Sequence, residues 1–288
     1  IGDGTFDNLL DSVKTSLTNQ DGIAQVMFYP GPVAGVTNEV IAQSWNGPEL
    51  NGSPVTFMVD TRAGEVSATM SEVSATGPVP ADGASLSTIT VTLTDDYNNK
   101  IPDKALSLLV TGSNNNITPF TSLTDANGQA TAYLASTRAE VKVVTIIDMS
   151  DGITLQDTAQ VRFLPLAARS ISYVSGTNQS SNYGTACKDP IRARITDMHG
   201  NVIANYPVTF EAYLGGGSIY ESQPVYTDSN GIASAYWILG NAGEVNRARA
   251  VASGLSGSPV EYIATAHEGT ASKMEYVSGN QQTGTAGY

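Results

Sequence analysis

Two histidines, one cysteine and a few arginines in a sparsely basic chain are the side chains here that could do chemistry. A hydrolytic triad or a zinc site would have to use His199 or His267. The first stands in the turn-like run His199-Gly200-Asn201 and the second in Ala266-His267-Glu268-Gly269, and neither belongs to a metal-ligand spacing. Cys187 sits beside a strand opening at Asp189-Pro190, where a core or rim thiol is a better fit than a nucleophile. The run Gly215-Gly216-Gly217-Ser218 lacks the lysine and following helix of a phosphate loop. No catalytic residue, metal or cofactor is therefore expected, and the chain reads as a non-enzyme.

Binding chemistry has more to offer. Asp95-Asp96, and Asp148 with Asp151-Gly152, could supply oxygen ligands to calcium, although neither matches the twelve-residue calcium loop; plain acidic turns are the alternative. Arg192 with Arg194, and Arg247 with Arg249, alternate along their segments, so each pair shares an outward strand face. Such pairs could meet acidic glycans, or pair with neighbouring carboxylates, which is the favoured reading. Tyr133 and Tyr236 face outward on equivalent strands, and Trp45 lies in a segment longer than its counterpart. These three aromatics and the four arginines form the candidate contact surface. Trp237 aligns instead with the inward residues Leu134 and Phe28. Asn51, Asn116 and Asn178 each open an Asn-X-Ser/Thr sequence.

The composition narrows the partners. Acidic residues number 27 against 14 basic ones, a net charge of -13 over 288 residues. A surface of that sign repels a phosphate backbone, so nucleic acid is not an expected partner. No stretch approaches the roughly 20 apolar residues of a membrane span. A single cysteine rules out an intrachain disulfide and leaves stability to packing, a pattern compatible with an exported bacterial protein.

The elements that must position these residues come from a repeat. Asn19-Gln20-Asp21-Gly22, Asp125-Ala126-Asn127-Gly128 and Asp228-Ser229-Asn230-Gly231 stand 106 and then 103 residues apart, glycine to glycine. Tyr173-Val174-Ser175-Gly176 returns after 103 residues at Tyr276-Val277-Ser278-Gly279, and Gly52-Ser53-Pro54-Val55 returns at Gly257-Ser258-Pro259-Val260. A period this long means whole domains in tandem. After each glycine, alternate residues are apolar: Ala24, Val26, Phe28; Ala130, Ala132, Leu134; Ala233, Ala235, Trp237. Upstream, Ile89, Val91, Leu93 alternate with threonines, and Ile191, Ala193, Ile195 with Arg192, Arg194 and Thr196. Period two without any helical period predicts short half-buried strands, and their spacing predicts two-sheet sandwiches. The expected architecture is all-β: tandem immunoglobulin-like β-sandwich domains forming an elongated rod.

The repeat sets boundaries. Residues 1–62 read as the C-terminal half of a domain, 63–164 and 165–267 as complete domains, and 268–288 as the opening strands of another. The junctions are short and carry no Gly/Ser-rich tract, which predicts stiffness and roughly 35–45 Å of length per domain. A half-domain cannot close its core alone. Excision from a longer array is the expected reason, with head-to-tail strand complementation between copies as the alternative.

Ser87-Thr88-Ile89-Thr90-Val91-Thr92-Leu93-Thr94-Asp95, Asn98-Asn99-Lys100-Ile101-Pro102 and Thr124-Asp125-Ala126-Asn127-Gly128-Gln129-Ala130-Thr131 together resemble the bacterial Ig-like domains (group 1) of the intimin and invasin type. The later repeat carries the same resemblance through Ile195-Thr196-Asp197, Gly200-Asn201-Val202-Ile203, Pro207-Val208-Thr209-Phe210 and Thr227-Asp228-Ser229-Asn230-Gly231. That resemblance implies a secreted or cell-surface prokaryotic protein whose repeats act as a stalk. The expected function is a structural stalk or filament segment, with neighbouring copies or domains of the same protein as partners. The alternative is an adhesin whose domains bind a host receptor or glycan directly.

Overall fold

The computed structural model describes residues 3–6, 12–44, 47, 50–241, 243, 245–269, 274–275, 277–279, 281–284 and 286–287. Every regular element among them is a β-strand. Contacts divide the chain into two units, Ile1–Leu164 and Pro165–Tyr288.

In the first unit, one sheet orders its strands Glu72–Ala75, Ser87–Thr92, Gln129–Ser136 and Asn115–Thr118. The facing sheet runs Val79–Pro80, Ile153–Leu164, Val141–Asp148 and Leu106–Val110. Ile89, Val91, Leu93, Leu134, Val144, Ile146 and Val161 are fully buried between them, while the alternating threonines of Ser87–Thr92 stay partly exposed. The period-two alternation therefore lands on the core face as expected, because a strand turns successive side chains to opposite sides.

The hairpin signature works through its first residue as well as its glycine. Asp125 Oδ1 accepts the N–H groups of Asn127 (2.8 Å) and Gln129 (2.9 Å), and Gly128 N donates to the Asp125 carbonyl (2.8 Å). Gly128 takes φ +70°, and a Cβ there would lie 2.5 Å from the Leu93 carbonyl oxygen, so only glycine fits. Asp228 and Gly231 repeat this arrangement, and Asn19 with Gly22 repeats it again.

One expectation fails in the first repeat. Ala24 and Val26 do not lie in a half-buried strand: both are exposed, and only Phe28–Tyr29 pairs, with Thr5–Phe6. In the later repeats the same segment is held by the strands Ser87–Thr92 and Ile191–Thr196. No equivalent strand flanks residues 23–27 among the described residues, and a strand without a partner cannot hide its apolar face. Further along, Thr37–Ala42 and Val55–Asp60 pair as an antiparallel ribbon. Its Ile41, Phe57 and Met58 are all more than half exposed.

The second unit has a three-stranded sheet, Ser170–Ser175, Ile191–Thr196 and Ile232–Ala235. Its five-stranded partner runs Gln179–Asn182, Val260–His267, Val245–Val251, Pro207–Leu214 and Val225–Tyr226. The short strand Gln179–Asn182 lies parallel on Val260–His267 and covers what would be an open edge. Trp237, Phe210, Tyr262, Ile191, Ile195 and Leu239 fill the core. Tyr262 rises from the large sheet and donates its hydroxyl to the Arg192 carbonyl of the small one (2.8 Å), bolting the layers together. Burial raises the pKa of that phenol.

Trp237 is fully buried, and its indole Nε1 has no hydrogen-bond partner. Trp237→Ala is expected to cost about 3–5 kcal/mol through the cavity it leaves. Trp237→Phe should cost clearly less, because it keeps most of the ring and removes an unpaired donor. Urea unfolding followed by circular dichroism checks the order; equal losses would contradict it.

Candidate contact surface

The two arginine pairs lie on opposite outer faces of the second sandwich. Arg247 and Arg249 sit on the large sheet, where Arg249 is flanked in register by Glu211 on one side and Glu261 on the other. Arg249 Nε meets Glu211 Oε1 at 2.7 Å, and its guanidinium stands 5.2 Å from the Tyr213 ring centroid. Tyr213 donates its hydroxyl to Glu261 Oε2 (2.5 Å), and that bond raises the tyrosine pKa while Arg247 acts to lower it. Glu211, Arg249, Glu261, Tyr213 and Arg247 thus form one charged ladder, with the cations already engaged.

Arg192 and Arg194 are exposed on the small sheet. Their register neighbours are neutral: Ser175 and Ser234 beside Arg192, Ser172 and Ile232 beside Arg194. Arg194 acts at longer range to lower the pKa of Asp228, behind the turn N–H groups.

The aromatic candidates are scattered. Tyr133 is exposed between Thr88 and Thr118 on the first unit. Tyr236 is exposed at the matching position of the second, where its backbone N donates to Glu221 Oε2 (2.8 Å). Trp45 lies outside the described residues.

Of the acidic groups considered for calcium, Asp95 is committed to backbone and an asparagine amide and Asp151 to a lysine. Asp95 is 3% exposed and takes four hydrogen bonds: Tyr97 N and Asn99 N at Oδ1 (both 2.9 Å), Gly64 N (2.9 Å) and Asn99 Nδ2 (2.8 Å) at Oδ2. Asp197 repeats the pattern with His199 N, Asn201 N, Leu166 N and Asn201 Nδ2. Asp151 pairs with Lys104 Nζ at 2.7 Å. Asp148 is buried, with Ser150 N on Oδ1 and no partner on Oδ2. Among the described residues no three His, Cys, Asp or Glu side chains converge on a point that could hold a metal ion. His199 lends only its backbone N to the Asp197 turn, and His267 ends a strand, exposed.

Sequence reading missed a buried lysine. Lys142 is fully buried, with Nζ 2.7 Å from Glu140 Oε1 and 2.7 Å from the Ser113 carbonyl, and 5.9 Å from the Phe163 ring centroid. Its hydrogen bond, followed by that of Ser113 N, holds the Glu140 carboxyl below its ordinary value. The signal was present: in Val141–Asp148 the alternation that turns Val144 and Ile146 inward also turns Lys142 and Asp148 inward.

Residues 71–164 match the family model of the bacterial Ig-like domain, group 1. That match covers about a third of the chain. The chain is 26% identical over 232 residues, 78% of its own length, to the inverse autotransporter adhesin YeeJ of Escherichia coli (strain K12). That stretch spans 9% of the relative's length. Among solved structures, InvD of Yersinia pseudotuberculosis superposes with a TM-score of 0.51 at 21% identity, over 72% of this chain and 61% of that one. Invasin, a bacterial integrin-binding protein, gives 0.50 at 19% identity, over 92% and 52% respectively. These two share the fold of this chain. Like these relatives, it is placed at the cell surface or outside the cell.

Three outcomes follow for the Ig-like sandwiches. Glu140→Ala should cost about 2–3 kcal/mol by stranding a buried ammonium, and Lys142→Met should cost less because the charge leaves with its desolvation penalty; urea midpoints rank them. Asp95 and Asp197 sit below their ordinary value of 3.8: burial acts to raise them, and the Asn side chain four residues on, the linker N–H and the turn N–H groups outweigh it. Their contribution is present above the unfolded value and lost as pH falls from 3.8 through the lowered folded value. The melting temperature should therefore drop on acidification below about pH 4, less steeply for Asp197→Asn. Cys187 is buried and its thiol is pushed up to about 11, so a thiol reagent at neutral pH should react only after unfolding.

Proposed function

We propose that the chain serves as a structural stalk or filament segment that carries or extends a surface assembly, with neighbouring domains and copies of the same protein as its main contacts. The observation that carries this reading is the pair of separate, fully closed cores, Val66 to Phe163 and Ile171 to Ala266. Each belongs to an antiparallel sandwich in which most bonds lie across the strands, a geometry that resists extension. The approach to each sandwich is pinned by a buried carboxylate: Gly64 N by Asp95, and Leu166 N by Asp197. Pinned, short connections suit a rigid spacer and not a flexible tether.

A second reading has one observation in its favour. Arg192 and Arg194 stand exposed with neutral neighbours in register, on an otherwise acidic protein. They would meet the carboxylates of an acidic glycan or receptor, which makes the domains themselves adhesive.

Pulling the whole chain by its ends separates the two. The stalk reading expects two principal unfolding events, each releasing about 30 nm, since roughly 100 extended residues span about 34 nm less the folded length. It also expects no retention on an acidic-glycan array. Reproducible array binding, lost in Arg192→Ala/Arg194→Ala and kept in Arg247→Ala, would defeat the purely structural view.

A further inference from the structure

We infer that Asn99 is the positioning residue of the joint in the first unit: its side-chain amide clamps the loop at Pro32–Ala34 onto the Asp95 turn and fixes the direction of the ribbon Thr37–Ala42 and Val55–Asp60 against the sandwich that follows. The inference deepens the stalk reading and rests on it for its biological use, while the clamp is itself a property of one unit.

The amide meets the loop backbone twice. Asn99 Nδ2 donates to the Pro32 carbonyl at 2.8 Å, and Asn99 Oδ1 accepts Ala34 N at 2.9 Å. A donor and an acceptor on one planar group match a C=O and an N–H two residues apart. A carboxylate offers no donor to the Pro32 oxygen, and an alanine offers neither group. The second Nδ2 hydrogen is spent on Asp95 Oδ2 at 2.8 Å, and Asn99 N donates to Asp95 Oδ1 at 2.9 Å. The amide is thus oriented before it reaches the loop, so few rotamers are lost in making the contact.

The same loop is gripped from the other side. Thr61 Oγ1 lies 2.7 Å from the Val33 carbonyl and 2.8 Å from the Val36 carbonyl, and it accepts Val36 N at 3.0 Å. Gly35 N donates to the Thr61 carbonyl and Thr61 N to the Val36 carbonyl, at 2.9 and 3.0 Å. Three positions beyond Thr61, Gly64 N is held by Asp95. Loop, linker and turn therefore close a ring: Thr61 to the loop, the loop to Asn99, Asn99 to Asp95, and Asp95 to Gly64. Only Arg62 and Ala63 lie between the two pinned linker residues. Cutting the ring at Asn99 leaves the linker torsions at Arg62 and Ala63 to set the angle.

The turn is a repeated part. Thr94-Asp95 followed by Asn99 recurs as Thr196-Asp197 followed by Asn201, and Asp197 holds Asn201 through the same pair of bonds that orients Asn99.

The test measures the joint directly. In the full chain with Cys187→Ala, spin labels at Thr56→Cys and Thr131→Cys, both exposed positions, report the distance between the ribbon and the sandwich by pulsed electron resonance. The parent should give a narrow distribution. Asn99→Ala and Asn99→Asp should widen it at least twofold, read at a temperature where the sandwich core, which also loses the bond from Asn99 to Asp95, is still folded. Ala34→Pro removes the loop donor from the other side and should widen it likewise, which keeps the test decisive if one Asn99 variant folds poorly. Tyr97→Ala, an exposed side chain in the same turn, should leave the width alone. An unchanged width in the Asn99 and Ala34 variants, or a broad distribution already in the parent, overturns the clamp. Failure of the stalk reading would show instead in glycan binding, with the distances unaffected.

Discussion

Acceptance of backbone N–H groups by a short carboxylate or amide is the interaction on which this molecule depends. A protein of strands alone, with one buried thiol and no disulfide, must fix register and joint angle at its turns. Asp125, Asp228 and Asn19 each collect two N–H groups and set the hairpin that launches the strand behind them. Asp95 and Asp197 collect three N–H groups and a side-chain amide, and reach back to the linker. Aspartate, with asparagine in its place at Asn19, thereby governs both local geometry and the entry to a domain, because its side chain is short enough to mimic a turn of backbone.

The outer faces show what the strands do with charge once the turns have set the register. On the large sheet of the second unit, Glu211, Arg249 and Glu261 fall opposite one another across three strands, so the arginines balance a local excess of acid. On the small sheet the register brings Arg192 and Arg194 against serines and an isoleucine. Identical spacing in sequence thus yields a charged ladder on one face and arginines with neutral register neighbours on the other. Any direct binding would be sought on the second of these faces.

Much of the fold was legible because period two is a strong signal when strands are half buried. Ile89, Val91 and Leu93, like Ile191, Ala193 and Ile195, reach the core as their alternation requires. The alternation fails where it has no partner strand, as at Ala24 and Val26. The same pattern implied a buried Lys142 and Asp148, though charged residues are easily read as outward by habit. The candidate surface was less legible. Alternation gives the face of each arginine, but cross-strand register, which is long-range, decides its neighbours.

The sequence by itself determined that the chain repeats at about one hundred residues, that its elements are strands, and where the hairpins fall. These properties depend on neighbours within a few positions or on comparison of the chain with itself. Only the tertiary structure decided that Tyr262 bolts two sheets, that Glu140 neutralises a lysine in the core, and that Asn99 reads a loop 67 residues before it. Those contacts join residues whose separation along the chain carries no period, so nothing short of the folded arrangement could have paired them.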